Sequence, residues 1–220
     1  MIQTQAKKID DENSVILHLG SNVTLTEAEI VDFVSDASLG DIFLTQGETN
    51  KVPFMLQEAK KRGMMVVFNA APYPELADSS FSKKFPCDWL FVNRNESCAM
   101  LDVHPTNYDA EFALKELQRR TGIPNIVITL GKDGYISLTG DHKQHKPESI
   151  PKVSNVEDTT GAGDVFLGYF VVEHLLKGTD ISGSFELASV AAALAVQTKG
   201  TLNAIPTFNQ VNNISKKDNL

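Results

Sequence analysis

The residues best suited to chemistry are the run Asp158-Thr159-Thr160-Gly161-Ala162-Gly163-Asp164. Gly161, Ala162 and Gly163 stand where a loop becomes a helix, and residues this small let backbone N–H groups approach an anion closely. The helix start adds unpaired amide donors and a positive dipole end. Such a cradle holds a transferring phosphoryl group and stabilises its charge. Asp164 follows in the first turn, where a carboxylate can take the proton of an attacking hydroxyl beside the cradled phosphate. Helix capping by Asp158 or Thr159 would account for one polar residue here. It does not account for two small flexible residues followed directly by a carboxylate.

The elements that must position this run are legible as periodic segments. Ser14–Leu19 reads as a strand that ends in Gly20-Ser-Asn22, and Thr24 or Thr26 caps the helix after it. Asp41–Thr45 is the next strand. A helix over residues 50–62 ends in Lys60-Lys61-Arg62 and is stopped by Gly63, which suits the macrodipole and a C-terminal stop. Met64–Phe68, Trp89–Val92 and Asn125–Thr129 are further strands, and an amphipathic helix over residues 108–120 is closed by Gly122 and Pro124. Strands this continuously apolar are buried on both faces, which predicts a doubly wound α/β fold with a mostly parallel sheet between helices. Right-handed crossovers place the strand C-terminal ends on one edge, where ligands bind. From Tyr135 to Pro151 a short antiparallel hairpin is expected. A long helix then runs from the Gly161 region to Lys177, and an apolar helix covers residues 184–198. Residues 212–220 are polar and expected to fray. No repeat or linker interrupts residues 1–220, so one domain is expected.

Composition narrows the functions available. The 220 residues are 42% hydrophobic and 22% charged, enough for a large core, with a formal net charge of -8. An acidic chain without a Lys/Arg-rich stretch is unsuited to nucleic acid, whose binding is dominated by phosphate neutralisation. A nucleotide needs only local positive potential. Cys87 and Cys98 belong to no CxxC pair and no His cluster, which points to free thiols in a reducing compartment. The start of the chain has no apolar signal core and no segment has membrane-spanning length, so a cytoplasmic protein with no membrane association is expected.

The string Asp158–Asp164 resembles the DTxGAGD signature of the ribokinase (PfkB) family of carbohydrate kinases, and further motifs follow in the family's order. Gln46-Gly-Glu48 is similar to the family's QxE element and Asn69-Ala-Ala-Pro72 to its NPAP turn. Asn93-Arg-Asn-Glu96 is similar to its NxxE motif, and Thr129-Leu-Gly-Lys-Asp-Gly134 to its TLGxxG turn. Lys199-Gly200 with Ile205-Pro206 is similar to its closing loop. The resemblance implies a kinase that transfers the ATP γ-phosphoryl group to a primary hydroxyl of a small sugar, with ribose leading. Gly161, Ala162 and Gly163 would be the anion hole and Asp164 the base, also touching the sugar. Glu48 would lie near the sugar, and Asn93, Thr129, Gly131, Gly134 and Ser189 near the nucleotide. Glu96 would hold Mg²⁺ through water. A potassium-type cation would take Asp158 and the carbonyls of Thr160, Ala195, Thr198 and Gly200, with one side-chain ligand lost at Ala204. Taken alone, Asn93 and Glu96 also have the form of a helix-entry capping pair.

The resemblance begins near Asp11–Val15, some way into a family member. It implies a ribokinase-like domain whose N-terminal strands and most of whose lid are missing, and a homodimer weakened by that loss. An alternative follows: a catalytically impaired nucleotide-binding fragment or regulatory module of the same family.

Overall fold

Continuous apolar runs become strands, and the amphipathic runs between them become helices. The computed structural model describes residues 3–9, 12–73, 86–147 and 149–215. The chain divides into two compact units, Met1–Ile126 and Val127–Leu220. Strands β3 to β8, whose ranges follow, form a six-stranded, mostly parallel sheet in chain order.

In the first unit, β1 (Gln3–Ile9) and β2 (Glu12–His18) pair antiparallel in a separate two-stranded sheet, with Ile9 opposite Glu12. The apolar run at Ser14 is therefore the return arm of a hairpin, not the first parallel strand that the pattern suggests. Strands so close in sequence can pair only antiparallel, because a parallel neighbour needs a crossover of about a dozen residues. The parallel series starts with β3 (Ile42–Gln46), β4 (Met65–Asn69) and β5 (Trp89–Asn93), in register with Gln46 opposite Asn69 and Asn69 opposite Phe91. The C-terminal ends of the three strands thus share one sheet edge.

Helix α1 (Glu27–Phe33) is opened by a capping box in which Thr26 and Glu29 satisfy each other's backbone amides. Helix α2 (Val52–Lys61) carries Pro53 in its first turn and Lys60 and Lys61 in its last, and buries Val52, Leu56 and Ala59. Gly63 follows at φ 73°, the left-handed stop expected from sequence. Helices α3 (Arg94–Leu101) and α4 (Ala110–Thr121) pack on each other, with Leu114 and Leu117 fully buried. Asp88 knots three strands together. Its carboxylate accepts from Lys60 Nζ (2.8 Å) and the Val66 amide (2.8 Å), and its carbonyl accepts from Asn125 Nδ2 (2.8 Å). Cys87 and Cys98 are buried free thiols. Burial, and then the neighbouring Asp88, push the Cys87 thiol up to about 12.

Strand β6 (Asn125–Thr129) leads into the second unit, which holds β7 (Tyr135–Leu138) and β8 (Gln144–His145). The last two form the expected antiparallel hairpin, with Ser137 opposite His145. Helix α5 (Ala162–Phe170) continues as a π-helical turn over Val171–Leu176, and packs against α6 (Ile181–Ala195). The rings of Tyr135, Phe166, Phe170 and Phe185 stack into the core, Phe185 lying 4.5 Å from both Tyr135 and Phe170. The π turn places Glu173 inside, where it accepts from Lys177 Nζ at 2.7 Å.

Fraying from residue 212 is not what the structure shows. Residues up to 215 belong to α7 (Phe208–Ser215), which buries Val211 against Val165, Val190, Ala191 and Ala195. Gln210 Oε1 accepts from both the amide and the hydroxyl of Thr207 and so starts the helix. Residues 216–220 of the expected tail lie outside the described residues. Among the described residues no helix is long and apolar enough to cross a membrane.

Candidate active site

The residues of the predicted cradle stand at the start of α5. Gly161 is its N-cap, in the left-handed region at φ 79°, a conformation that costs other residues about 1–2 kcal/mol. The first helical bond runs from the Val165 amide to the Gly161 carbonyl (2.9 Å). The amides of the turn before it point out of the helix end. One of the three expected donors is already engaged: the Ala162 amide donates to the Thr159 carbonyl (3.3 Å). The oxyanion reading therefore falls on Gly161 and Gly163. At Gly163 a Cβ would meet nothing within 4 Å, so space is open on its Cα. Asp164 is exposed in the first turn beside it, as a base facing a substrate must be.

Asp158 fastens the cradle to a second loop. Its Oδ1 accepts from the Thr160 amide (3.0 Å), and its Oδ2 from the Gly200 amide (3.1 Å). These bonds, led by the one to the Thr160 side chain, hold the carboxyl below the usual aspartate range. The Val196 carbonyl accepts from the Glu157 and Asp158 amides (2.8 and 3.2 Å), and the Ala195 carbonyl from the Thr198 amide (3.1 Å). Asp158, Thr160, Ala195, Thr198 and Gly200 are thus gathered at one loop crossing. Ala204, buried nearby in sequence, offers no side-chain oxygen. Along α5 a cleft of about 580 Å³ begins at Thr160, Gly161 and Asp164 and continues over Val172, Ile205 and Phe208.

The turn after β6 uses glycine at two left-handed positions. Gly131 and Gly134 have φ 61° and 80°, and a Cβ on Gly134 would stand 2.8 Å from Pro147. The Leu130 amide closes the turn on the Gly134 carbonyl (2.8 Å), just past half-buried Thr129. Ser189 is half-buried on α6, and its hydroxyl donates to the Phe185 carbonyl one turn back (2.8 Å). That bond serves the helix, and no adenine contact can be read from it.

In the first unit the Gln46–Glu48 turn and the Asn69–Pro72 turn stand side by side at the strand ends, joined by the Gly47 amide to the Ala71 carbonyl (2.9 Å). Glu48 is exposed there, and its carbonyl accepts from Asn22 Nδ2 (3.2 Å). Asn93 ends β5 on the same edge. Its side chain accepts from the Glu96 amide (2.8 Å), while Glu96 Oε2 accepts from the Asn93 amide (2.7 Å). The capping pair is therefore realised in full. Among the described residues no three His, Cys, Asp or Glu side chains are grouped to cage a metal.

Sequence reasoning missed two residues around the cradle, Thr201 and Tyr169. Thr201 lies over Gly161, its Cγ2 3.8 Å from where a Cβ there would be. The Tyr169 hydroxyl donates to the Pro206 carbonyl (2.6 Å). Thr201 had a signal in its place after Gly200; Tyr169, a helix residue 37 positions from its partner, had none.

Residues 4–208 match the pfkB family of carbohydrate kinases, and the chain belongs to that family. It is 29% identical over 205 residues to the deoxyribokinase of Salmonella typhi, covering 92% of this chain and 65% of that protein. It is 31% identical over 199 residues to the ribokinase of Haemophilus influenzae, covering 89% of this chain and 62% of that protein. Its fold is ribokinase-like. The structure of Arabidopsis thaliana ribokinase complexed with ribose and ATP matches it with a TM-score of 0.75 and 27% identity, over 94% of this chain and 66% of the other. The chain thus spans less than two thirds of the length of these two sequence relatives.

Proposed function

We propose that the chain binds Mg-ATP at the Gly161–Asp164 cradle and transfers the γ-phosphoryl group to a primary hydroxyl of a small sugar, with Asp164 as the base. The observation that carries this reading is the left-handed Gly161 opening α5 with exposed Asp164 one turn on. Ribose is the leading acceptor: one relative is a ribokinase, and the Arabidopsis enzyme is complexed with ribose and ATP. 2-Deoxyribose is the natural competitor, since another relative is a deoxyribokinase.

In this reading Asn93, Thr129, Gly131, Gly134 and Ser189 adjoin the nucleotide, and Glu48 the sugar. Mg²⁺ prefers oxygen ligands and sheds water reluctantly, so one carboxylate would be enough to hold it through water. Glu96 fits that part, and the lack of a caging cluster among the described residues agrees with it. A monovalent cation fits the hard oxygen donors at the loop crossing, the Asp158 carboxylate and the carbonyls of Thr160, Ala195, Thr198 and Gly200. When bound, these ions neutralise developing phosphate charge.

The test is ATP-dependent phosphorylation of ribose and of 2-deoxyribose by the chain and by Asp164→Asn. The variant should lose roughly 10²–10⁴ of the rate while nucleotide affinity is held. Equal rates would remove Asp164 from the role of base. A second reading, nucleotide binding without sugar transfer, is favoured by the capping duty of Asn93 and Glu96. Calorimetric binding of Mg-ATP with no transfer to either sugar would establish it.

A further inference from the structure

The segment Gly200–Pro206 is fastened at both ends to one stretch of chain. At one end the Gly200 amide donates to Asp158 Oδ2 (3.1 Å). At the other the Tyr169 hydroxyl donates to the Pro206 carbonyl (2.6 Å), short enough to be a strong bond. Tyr169 lies on α5, two turns beyond Gly161. One rigid helix therefore carries both the cradle and the catch that holds the opposing loop. A tyrosine phenol is protonated throughout the neutral range, and burial pushes this one further up, so it remains a donor.

Apolar packing holds only part of this segment. It makes a single 3-10 turn, Leu202–Ala204; Ala204 and Pro206 are buried, while Leu202 is 81% exposed and Ile205, just after the turn, 50%. The two polar anchors tie its ends to the helix side. The position matters because Thr201, next to Gly200, forms the wall over Gly161. A segment that swings away from α5 takes that wall with it.

We propose that Tyr169 is a positioning residue of the nucleotide site: its hydroxyl holds the 200–206 segment closed over the cradle. The proposal rests on the reading of Gly161–Asp164 as the phosphate cradle. Tyr169→Phe removes the hydroxyl and keeps the ring. Hydrogen exchange of a peptide spanning 198–206 should then quicken about fivefold, the worth of one net hydrogen bond, and calorimetric affinity for Mg-ATP should fall by a similar factor. Ile123→Val, a core truncation in the first unit, serves as a control for stability alone. It should lower Tm by a comparable amount and move neither readout. A Tyr169→Phe protein equal to its parent in loop exchange and nucleotide affinity overturns the inference and leaves the cradle reading standing. A parent that does not bind Mg-ATP overturns the cradle reading, and with it the nucleotide role of Tyr169.

Discussion

Two motif-bearing turns use the same chemistry to different ends. In the second unit, the Asp158 carboxylate bonds one amide two residues away and another 42 residues away, so it joins two loops into a crossing. In the first unit, Asn93 and Glu96 bond each other's amides three residues apart, so the pair starts a helix. Both are side-chain carbonyl or carboxylate oxygens satisfying backbone donors. What differs is how far away in sequence the donor lies. A short reach builds local structure, and a long reach assembles a site.

The two glycines of the cradle give the largest test of this contrast. Gly161 has φ 79° and only an ordinary contact to Thr201, so the cost of Gly161→Ala is conformational, about 1–2 kcal/mol of stability. Gly163 has no positive φ and open space around it. Gly163→Ala should therefore stabilise the helix by about 0.5–1 kcal/mol while weakening Mg-ATP binding, because its methyl fills space an anion would use. Denaturant unfolding and calorimetry on both variants check this. A Gly163→Ala protein with undiminished nucleotide affinity would take Gly163 out of the cradle.

The capping turn should show a smaller effect of the opposite kind. Asn93→Ala removes one half of the box and should cost about 1 kcal/mol by denaturant unfolding. Glu96→Gln keeps an oxygen that can accept from the Asn93 amide, so its stability should lie closer to the parent's. If Glu96 also supports Mg²⁺, Glu96→Gln will raise the Mg²⁺ concentration needed for ATP binding more than it lowers stability. Stability loss with an unchanged Mg²⁺ requirement would leave the turn purely structural.

What could be read from sequence was whatever is encoded within a few residues. The continuous apolar runs expected at Met64–Phe68 and Asn125–Thr129 are buried strands, Thr26 proves to be the cap of the two threonines offered, Asn93 has the capping form it shows, and Gly63 and Gly122 end helices in the left-handed region. The helix start proposed as the cradle was legible for the same reason, since its glycines and carboxylate are contiguous. Long-range partnerships were not legible. Nothing near Asp88 announces that it will knot β4, β5 and β6, and nothing near Tyr169 points to Pro206. The strand at Ser14 was recognised but its partner was not, because an apolar run does not state what it pairs with. Helix α7 is a different case: the Thr207-x-x-Gln210 spacing is a local start signal, and the polar residues after it still form helix because Val211 finds a buried place.

The loop crossing at Asp158 should respond to pH in a way the capping turn does not isolate. Hydrogen bonds hold the folded Asp158 carboxyl below its unfolded value near about 3.9. A depressed folded pKa means the contribution is fully present above that unfolded value and is lost as pH falls through the folded one. Asp158→Asn can keep one acceptor for the Thr160 amide but cannot offer a second oxygen to Gly200. Exchange of the 198–206 peptide, corrected for intrinsic rates, should be faster in the variant than in the parent at pH 7 and still faster at pH 4. The gap should close only as the parent is taken below pH 4, where its own carboxyl takes up a proton. A gap absent at pH 7 would mean that the crossing stands without its carboxylate, and the contrast between the two turns would then rest on backbone geometry alone.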